Sequence, residues 1–185
     1  MKEYIKVSNE KGYQFLNSGA LILVSSVGLN KNYDIAPIVW CCPIDYDKFT
    51  RLLFVCDKKH FTYKNIQETK QFGISVPDIS QLQLVKDTGG CSGRDTDKIA
   101  KFNINVIDSE IIDVKLPFGA IAYIECKVYN IIMDGEVALI FGETVFVKAD
   151  REAYNNRLLS ETEAAKTIHH LGGKAFITTS DIILK

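Results

Sequence analysis

Between Gly19 and Gly28 the chain runs Ala20-Leu21-Ile22-Leu23-Val24-Ser25-Ser26-Val27, a short and almost continuous apolar stretch. Bounded by two glycines, such a run suits a strand buried on both faces. Gly28 to Asn32 predicts a turn into a second strand around Ala36. Arg51-Leu52-Leu53-Phe54-Val55-Cys56 is another apolar run. Phe72-Gly73-Ile74-Ser75-Val76 alternates large and small residues and is stopped by Pro77.

The clearest β signal flanks Asp134-Gly135, a dipeptide suited to the positive φ angles of a tight hairpin turn. On the Ala120–Met133 arm, Ile124, Cys126 and Val128 share one face and Glu125 and Lys127 the other. On the Glu136–Lys148 arm, Val137, Leu139 and Phe141 alternate with Ala138, Ile140 and Gly142. So long an alternating hairpin predicts a barrel wall. Helical spacing is confined to Thr62–Lys70, Ser80–Lys86 and Arg94–Phe102, and to a segment opened by the capping box Ser160-Glu161-Thr162-Glu163 and stopped near Leu171-Gly172-Gly173. Ala175 to Thr179 then reads as a closing strand. Many strands without regular βαβ alternation predict a mainly β fold, a β-barrel with peripheral helices.

Composition narrows the function classes. A chain of 185 residues is sized for one domain, residues 1–185. Net charge is −1 with acids and bases intermixed, which argues against a nucleic-acid or anionic-membrane partner. No apolar segment has spanning length. The start, Met1 to Lys6, lacks a secretory pattern, which makes the cytoplasm the expected location. Five cysteines without a CxxC pair fit reduced thiols, and the histidine spacing predicts no metal site.

Four places can carry chemistry. A helix beginning near Thr62 offers unpaired N–H groups and a favourable dipole to a phosphate, with Lys58, Lys59, the Thr62 hydroxyl and the Asn65 amide beside it. The competing reading is a Thr62 cap with solvated lysines. Pro37 interrupts a good strand, so Ala36, Pro37, Ile38, Val39, Trp40 and Cys41 either support a flat ring or form an edge strand with Trp40 in the core. In Gly89–Lys98, a helix starting at Arg94 would present Arg94 and Lys98 on one face, together with Ser92 and Gly93 in the turn; the alternative is an exposed turn with Asp97 paired to Lys101. His169-His170 falls at the end of the capped helix, where either a proton-delivery role or a plain helix-end contact fits. No nucleophile–base pair is evident, which disfavours hydrolysis.

Taken in order, these segments resemble the flavin reductase-like family, and within it the flavoredoxin-like branch. The resemblance runs through Gly19–Ser26, Asp34–Trp40, Phe61–Ile66, Phe72–Val76, Ser92–Lys98, Ile124–Cys126, Ile140–Val145 and Leu171–Gly173. It implies an FMN-binding split barrel, Greek-key-like in topology, acting as a homodimer with non-covalent FMN near the subunit interface. It implies a flavin ring on the Ala36–Cys41 strand, a phosphate at the Thr62–Asn65 helix start, and Ser92–Lys98 closing over the cofactor. Asp34 stands where family members often carry Asn. The implied activity is an oxidoreductase taking a hydride from NAD(P)H and passing electrons to a flavin, ferric or protein acceptor. The alternatives are a flavoredoxin-type carrier exchanging electrons with a redox protein and lacking its own nicotinamide site, or a flavin-binding module with little turnover.

Overall fold

The computed structural model describes residues 19–45 and 49–179; the Met1–Lys6 start lies outside them. Seven strands form one antiparallel sheet: β1 (Ile22–Val27), β2 (Tyr33–Ile38), β3 (Cys41–Asp45), β4 (Arg51–Asp57), β5 (Gln71–Val76), β8 (Ala122–Asp134) and β9 (Val137–Ala149). Their order is β2-β1-β5-β8-β9-β4-β3. The two edge strands, β2 and β3, are consecutive in sequence and separated only by Val39 and Trp40. A sheet whose edges are joined end to end must curl, and this one closes as the expected barrel. The Val55 N–H donates to the Trp40 carbonyl at 2.9 Å, which carries the β3–β4 ladder up to this two-residue link.

The interior is filled from nearly every wall. Ile22, Val24, Ile38, Phe54, Phe72, Ile74, Cys126 and Ile140 pack together there, with Ile66 of the helix α1 (Phe61–Thr69) among them. Gly142 is required beneath Phe72, because a Cβ would stand 2.9 Å from the ring's Cε1. The long hairpin matches its sequence signal: Asp134 faces Val137 across a turn in which Gly135 has φ of +56°. Register shifts after Glu125 and Val128 bend this hairpin round the barrel.

The first shift also changes the expected alternation. Glu125 is fully buried, and its carboxylate accepts hydrogen bonds from the N–H groups of Glu110, Ile111 and Ile112. The polar face predicted for Glu125 is thus occupied by the loop between the short paired strands β6 (Val106–Asp108) and β7 (Lys115–Pro117).

Two helix expectations are corrected. Only a single 3₁₀ turn, Glu163–Ala165, follows the capping-box sequence, and the Thr162 hydroxyl donates back to the Leu159 carbonyl instead of capping. The segment with His169 and His170 is strand β10 (Ile168–Gly172), paired with β11 (Ala175–Thr178). Gly172 and Gly173, with φ of +109° and +58°, make the hairpin turn rather than a helix stop. β11 closes that hairpin, not the barrel. The predicted Arg94–Phe102 helix begins only at Lys98, as the four-residue α3 (Lys98–Lys101). Asp97 sets the start by accepting from the Ala100 N–H, so it caps the helix and does not pair with Lys101. Before it, Ser80–Lys86 is realised as a 3₁₀ turn running into α2 (Leu82–Gly89).

Candidate functional site

Pro37 lies on an edge strand, where its missing N–H costs no ladder bond. Three clefts meet at it, and it is the one residue that lines all three. The first, of about 380 Å³, runs between β2 and the start of α1. The second is bounded by α2 and the β10–β11 hairpin, with Leu21, Val39, Val85 and Phe176 in its walls. The third lies over the barrel seam, between Val39, Trp40, Val55 and Val137 on one side and His170 and Gly173 on the other. Together they form a branched trough with one polar arm and two apolar ones.

The polar arm is built on a helix start. His60 is the N-cap of α1, yet no side chain caps the helix and no acidic residue occupies its first turn. Its first N–H groups have no intrahelical acceptor and no acidic side chain of the helix's own first turn offsets the dipole, which favours an anion there. Thr62 lines this arm but is not the cap; its hydroxyl donates to Asp34 Oδ2 at 3.2 Å. Lys59 also lines it, with its ammonium 3.7 Å from Glu136, and Lys58 turns away to pair with the same carboxylate at 2.6 Å.

The opposite bank of the arm is Thr88 to Gly93, at the end of α2 and beyond. Gly89 packs so tightly on Pro37 that a Cβ would stand 2.9 Å from the proline Cγ. Ser92 accepts from the Arg94 N–H, making the tight turn that carries Gly93 against Asp34. Lys98 reaches the same wall from α3, donating to the Ile35 carbonyl at 2.8 Å and standing 2.9 Å from Asp34 Oδ1.

The predicted residues therefore divide. Ala36, Pro37, Ile38, Lys59, Thr62, Ser92, Gly93 and Lys98 converge on the polar arm, and Val39 and Trp40 lie at the seam. Trp40 is half exposed rather than a core aromatic. The Asn65 amide is fully buried and donates to Ser26 Oγ and the Asn32 carbonyl, outside the trough. Arg94 points away from Lys98 and donates to the Lys59 carbonyl at 3.0 Å, because the helix meant to align the two starts later. Cys41 packs against the barrel interior, where burial first, and then Cys42 beside it, push its thiol up to about 12.

Sequence reasoning missed His60, Thr88, Gly90 and Cys91, and the contribution of His170 and Phe176. For His170 the signal was present but misassigned: a helix would have carried it away, whereas the hairpin with the Ala175–Thr178 strand stacks it 5.0 Å from the Phe176 ring.

Comparison with known proteins gives this geometry its lineage. The model of the flavin reductase-like domain matches residues 16–169. The chain belongs to the flavin reductase-like family. It is 26% identical over 183 residues to the uncharacterized protein YddH of Escherichia coli (strain K12), covering 97% of this chain and 96% of that one. Among solved structures, an FMN-binding domain of a flavin reductases-like enzyme from Shewanella baltica superposes with a TM-score of 0.80 at 23% identity, covering 97% of this chain and 95% of that chain. Flavoredoxin of Desulfovibrio vulgaris (Miyazaki F) gives 0.83 at 19%, covering 100% and 97%. These likenesses identify the fold as the split barrel of that family.

The donor set fits a flavin mononucleotide. An uncapped helix start with Lys59 and Thr62 suits a phosphate, and the apolar arms at the seam suit a planar ring. The polar arm alone falls within the roughly 300–1,000 Å³ typical of ligand sites.

Proposed function

We propose that this chain binds FMN non-covalently in the trough and works as a cytoplasmic oxidoreductase, accepting a hydride from NAD(P)H and passing electrons to a flavin, ferric or protein acceptor. The observation that carries the reading is the convergence at Pro37 of an anion-ready helix start and two apolar arms. In this reading the first-turn N–H groups of α1, that of Thr62 among them, hold the phosphate with Lys59, while the Thr62 hydroxyl stays on Asp34. The backbone from Ala36 to Trp40 carries the ring, and Ser92–Gly93 closes the polar arm. The β10–β11 hairpin shields one flank through His170 and excludes water there. When bound, the flavin supplies the hydride and electron chemistry, and the protein supplies orientation and electrostatics.

A homodimer is part of the same proposal. Tyr129, Ile132 and Met133 of β8 are large exposed apolar side chains, the kind of surface a second copy would cover. A reducing compartment is supported by five cysteines that are all free. Among the described residues no helix is long and apolar enough to cross a membrane.

The test is reconstitution with FMN followed by stopped-flow reduction. Quenching of flavin fluorescence on binding and rapid bleaching by NADH or NADPH are expected. Bleaching only by a reduced carrier protein would point instead to an electron carrier of flavoredoxin type, and absence of flavin binding would overturn both.

A further inference from the structure

Among the described residues, Asp34, Lys98 and Glu125 are the charged side chains that are buried. Glu125 is taken up by the backbone at Glu110–Ile112, so the buried charge in the trough wall is one carboxylate and one ammonium. Asp34 Oδ1 and Lys98 Nζ stand 2.9 Å apart with side-chain exposures of only 1% and 3%. Each has a second partner that fixes it: the Ile35 carbonyl for the ammonium, the Thr62 hydroxyl for the carboxylate. Gly93 closes on the carboxylate, leaving no room for a side chain there. The pair is thus held from β2, α1 and the segment leading to α3.

Sealed from water, an ammonium acts over several ångströms on any charge arriving nearby, because screening is weak. With Asp34 against it, Lys98 presents a dipole and almost no net charge. Two-electron reduction with uptake of one proton adds one negative charge to a flavin ring. The Lys98 bond to the Ile35 carbonyl sets the ammonium one residue from the ring-bearing Ala36–Trp40 backbone, where that added charge would be stabilised by a lone ammonium and far less by a neutral pair.

We propose that Asp34 sets the reduction potential of the bound flavin, holding it low by cancelling the charge of Lys98. The inference rests on the FMN reading above. Asp34 is a positioning residue: it acts through Lys98, whose ammonium it keeps on the Ile35 carbonyl.

The experiment compares the unaltered protein with Asp34→Asn, Lys98→Met and the double variant, all loaded with FMN. Affinity is read from fluorescence quenching, and potential separately from anaerobic dithionite titration against a reference dye. Asp34→Asn should favour reduced over oxidised flavin at least tenfold more than the unaltered protein, a rise of about 30 mV for a two-electron couple. Lys98→Met should move the potential the other way, and the double variant should return to within about threefold of the starting ratio. Shifts of the same sign in both single variants, or an unmoved potential in a folded, FMN-bound Asp34→Asn, overturn the proposal. If Asp34→Asn does not fold, a Lys98→Met potential that is not below that of the double variant overturns it. An unaltered protein that binds no FMN removes the FMN reading itself, whereas bound FMN with an unresponsive potential removes only the role of Asp34.

Discussion

Gly93 lies directly against Asp34: a Cβ on the glycine would collide with Oδ1 and stand 2.5 Å from Cγ. The same Cβ would be 2.9 Å from Phe61 Cδ1. Neither neighbour can yield easily, since Asp34 is tied to Lys98 and Phe61 is packed at the start of α1.

Gly93→Ala should therefore displace the Ser92–Gly93 bank. An overpacked contact of this kind costs about 1–3 kcal/mol. Expected are a lower urea midpoint and FMN binding weakened by roughly tenfold or more, that is about 1.4 kcal/mol. Binding and stability equal to those of the unaltered protein would show that the bank is free to move.

Thr62 and Asn65 should separate. Thr62→Ala removes the hydroxyl that Asp34 accepts in the wall of the polar arm and, by loosening that wall, should weaken FMN binding by about 1 kcal/mol. Asn65→Ala removes bonds to Ser26 and the Asn32 carbonyl, so it should lower stability by about 1–3 kcal/mol and leave FMN affinity within about threefold. Fluorescence titration and urea unfolding of both variants distinguish the two roles.

Glu125→Gln tests the buried carboxylate. The amide keeps one accepting oxygen and sets an NH2 donor against the N–H groups of Glu110, Ile111 and Ile112, which now donate to the two carboxylate oxygens. A loss of about 1–3 kcal/mol in urea unfolding is expected. Hydrogen exchange at these three amides should accelerate.

Thiol reactivity should follow burial. Burial pushes Cys41 and Cys56 from 9.0 up to about 12, and it pushes Cys126 up as well, while Cys42 is exposed. Iodoacetamide at pH 8 should label Cys42 first and leave Cys41, Cys56 and Cys126 until the protein unfolds, as read by mass spectrometry. The linkage has a definite sign: above about pH 9 the unfolded chain releases thiol protons that the folded chain keeps, so stability falls as pH rises from about 9 toward 12.

Most of the barrel was legible because its signals are local. The glycine-bounded run at Ile22–Val27, the Asp134-Gly135 turn and the Phe61–Thr69 helix each depend on neighbours in sequence. What was lost depends on partners far along the chain. Ser160–Glu163 resembles a cap, but Ile168 is buried in the cluster with Leu21 and Leu23, and the Leu21 N–H donates to its carbonyl at 2.8 Å, so the segment is extended. Glu125 reads as a solvent-facing strand residue, and only the loop at Glu110–Ile112 makes its burial favourable. At the site, position in the chain singled out Thr62 and Lys98, while Asp34 stood out only as a departure from the family's Asn. That Lys98 meets Asp34 rather than Arg94 was set by Asp97, which starts the helix late.

The seam has a mechanical side. Val39 and Trp40 join the barrel's two edge strands and also floor the trough, so a molecule lying across Pro37 to Trp40 would span the junction of β2 and β3, which are not paired with each other. Such a ligand is a clasp: opening the hoop would require letting go of it, and its binding energy would add to the work of prising the barrel apart. In an empty protein the hoop should breathe first at this clasp, which makes loading with cofactor and completion of the fold two views of one event.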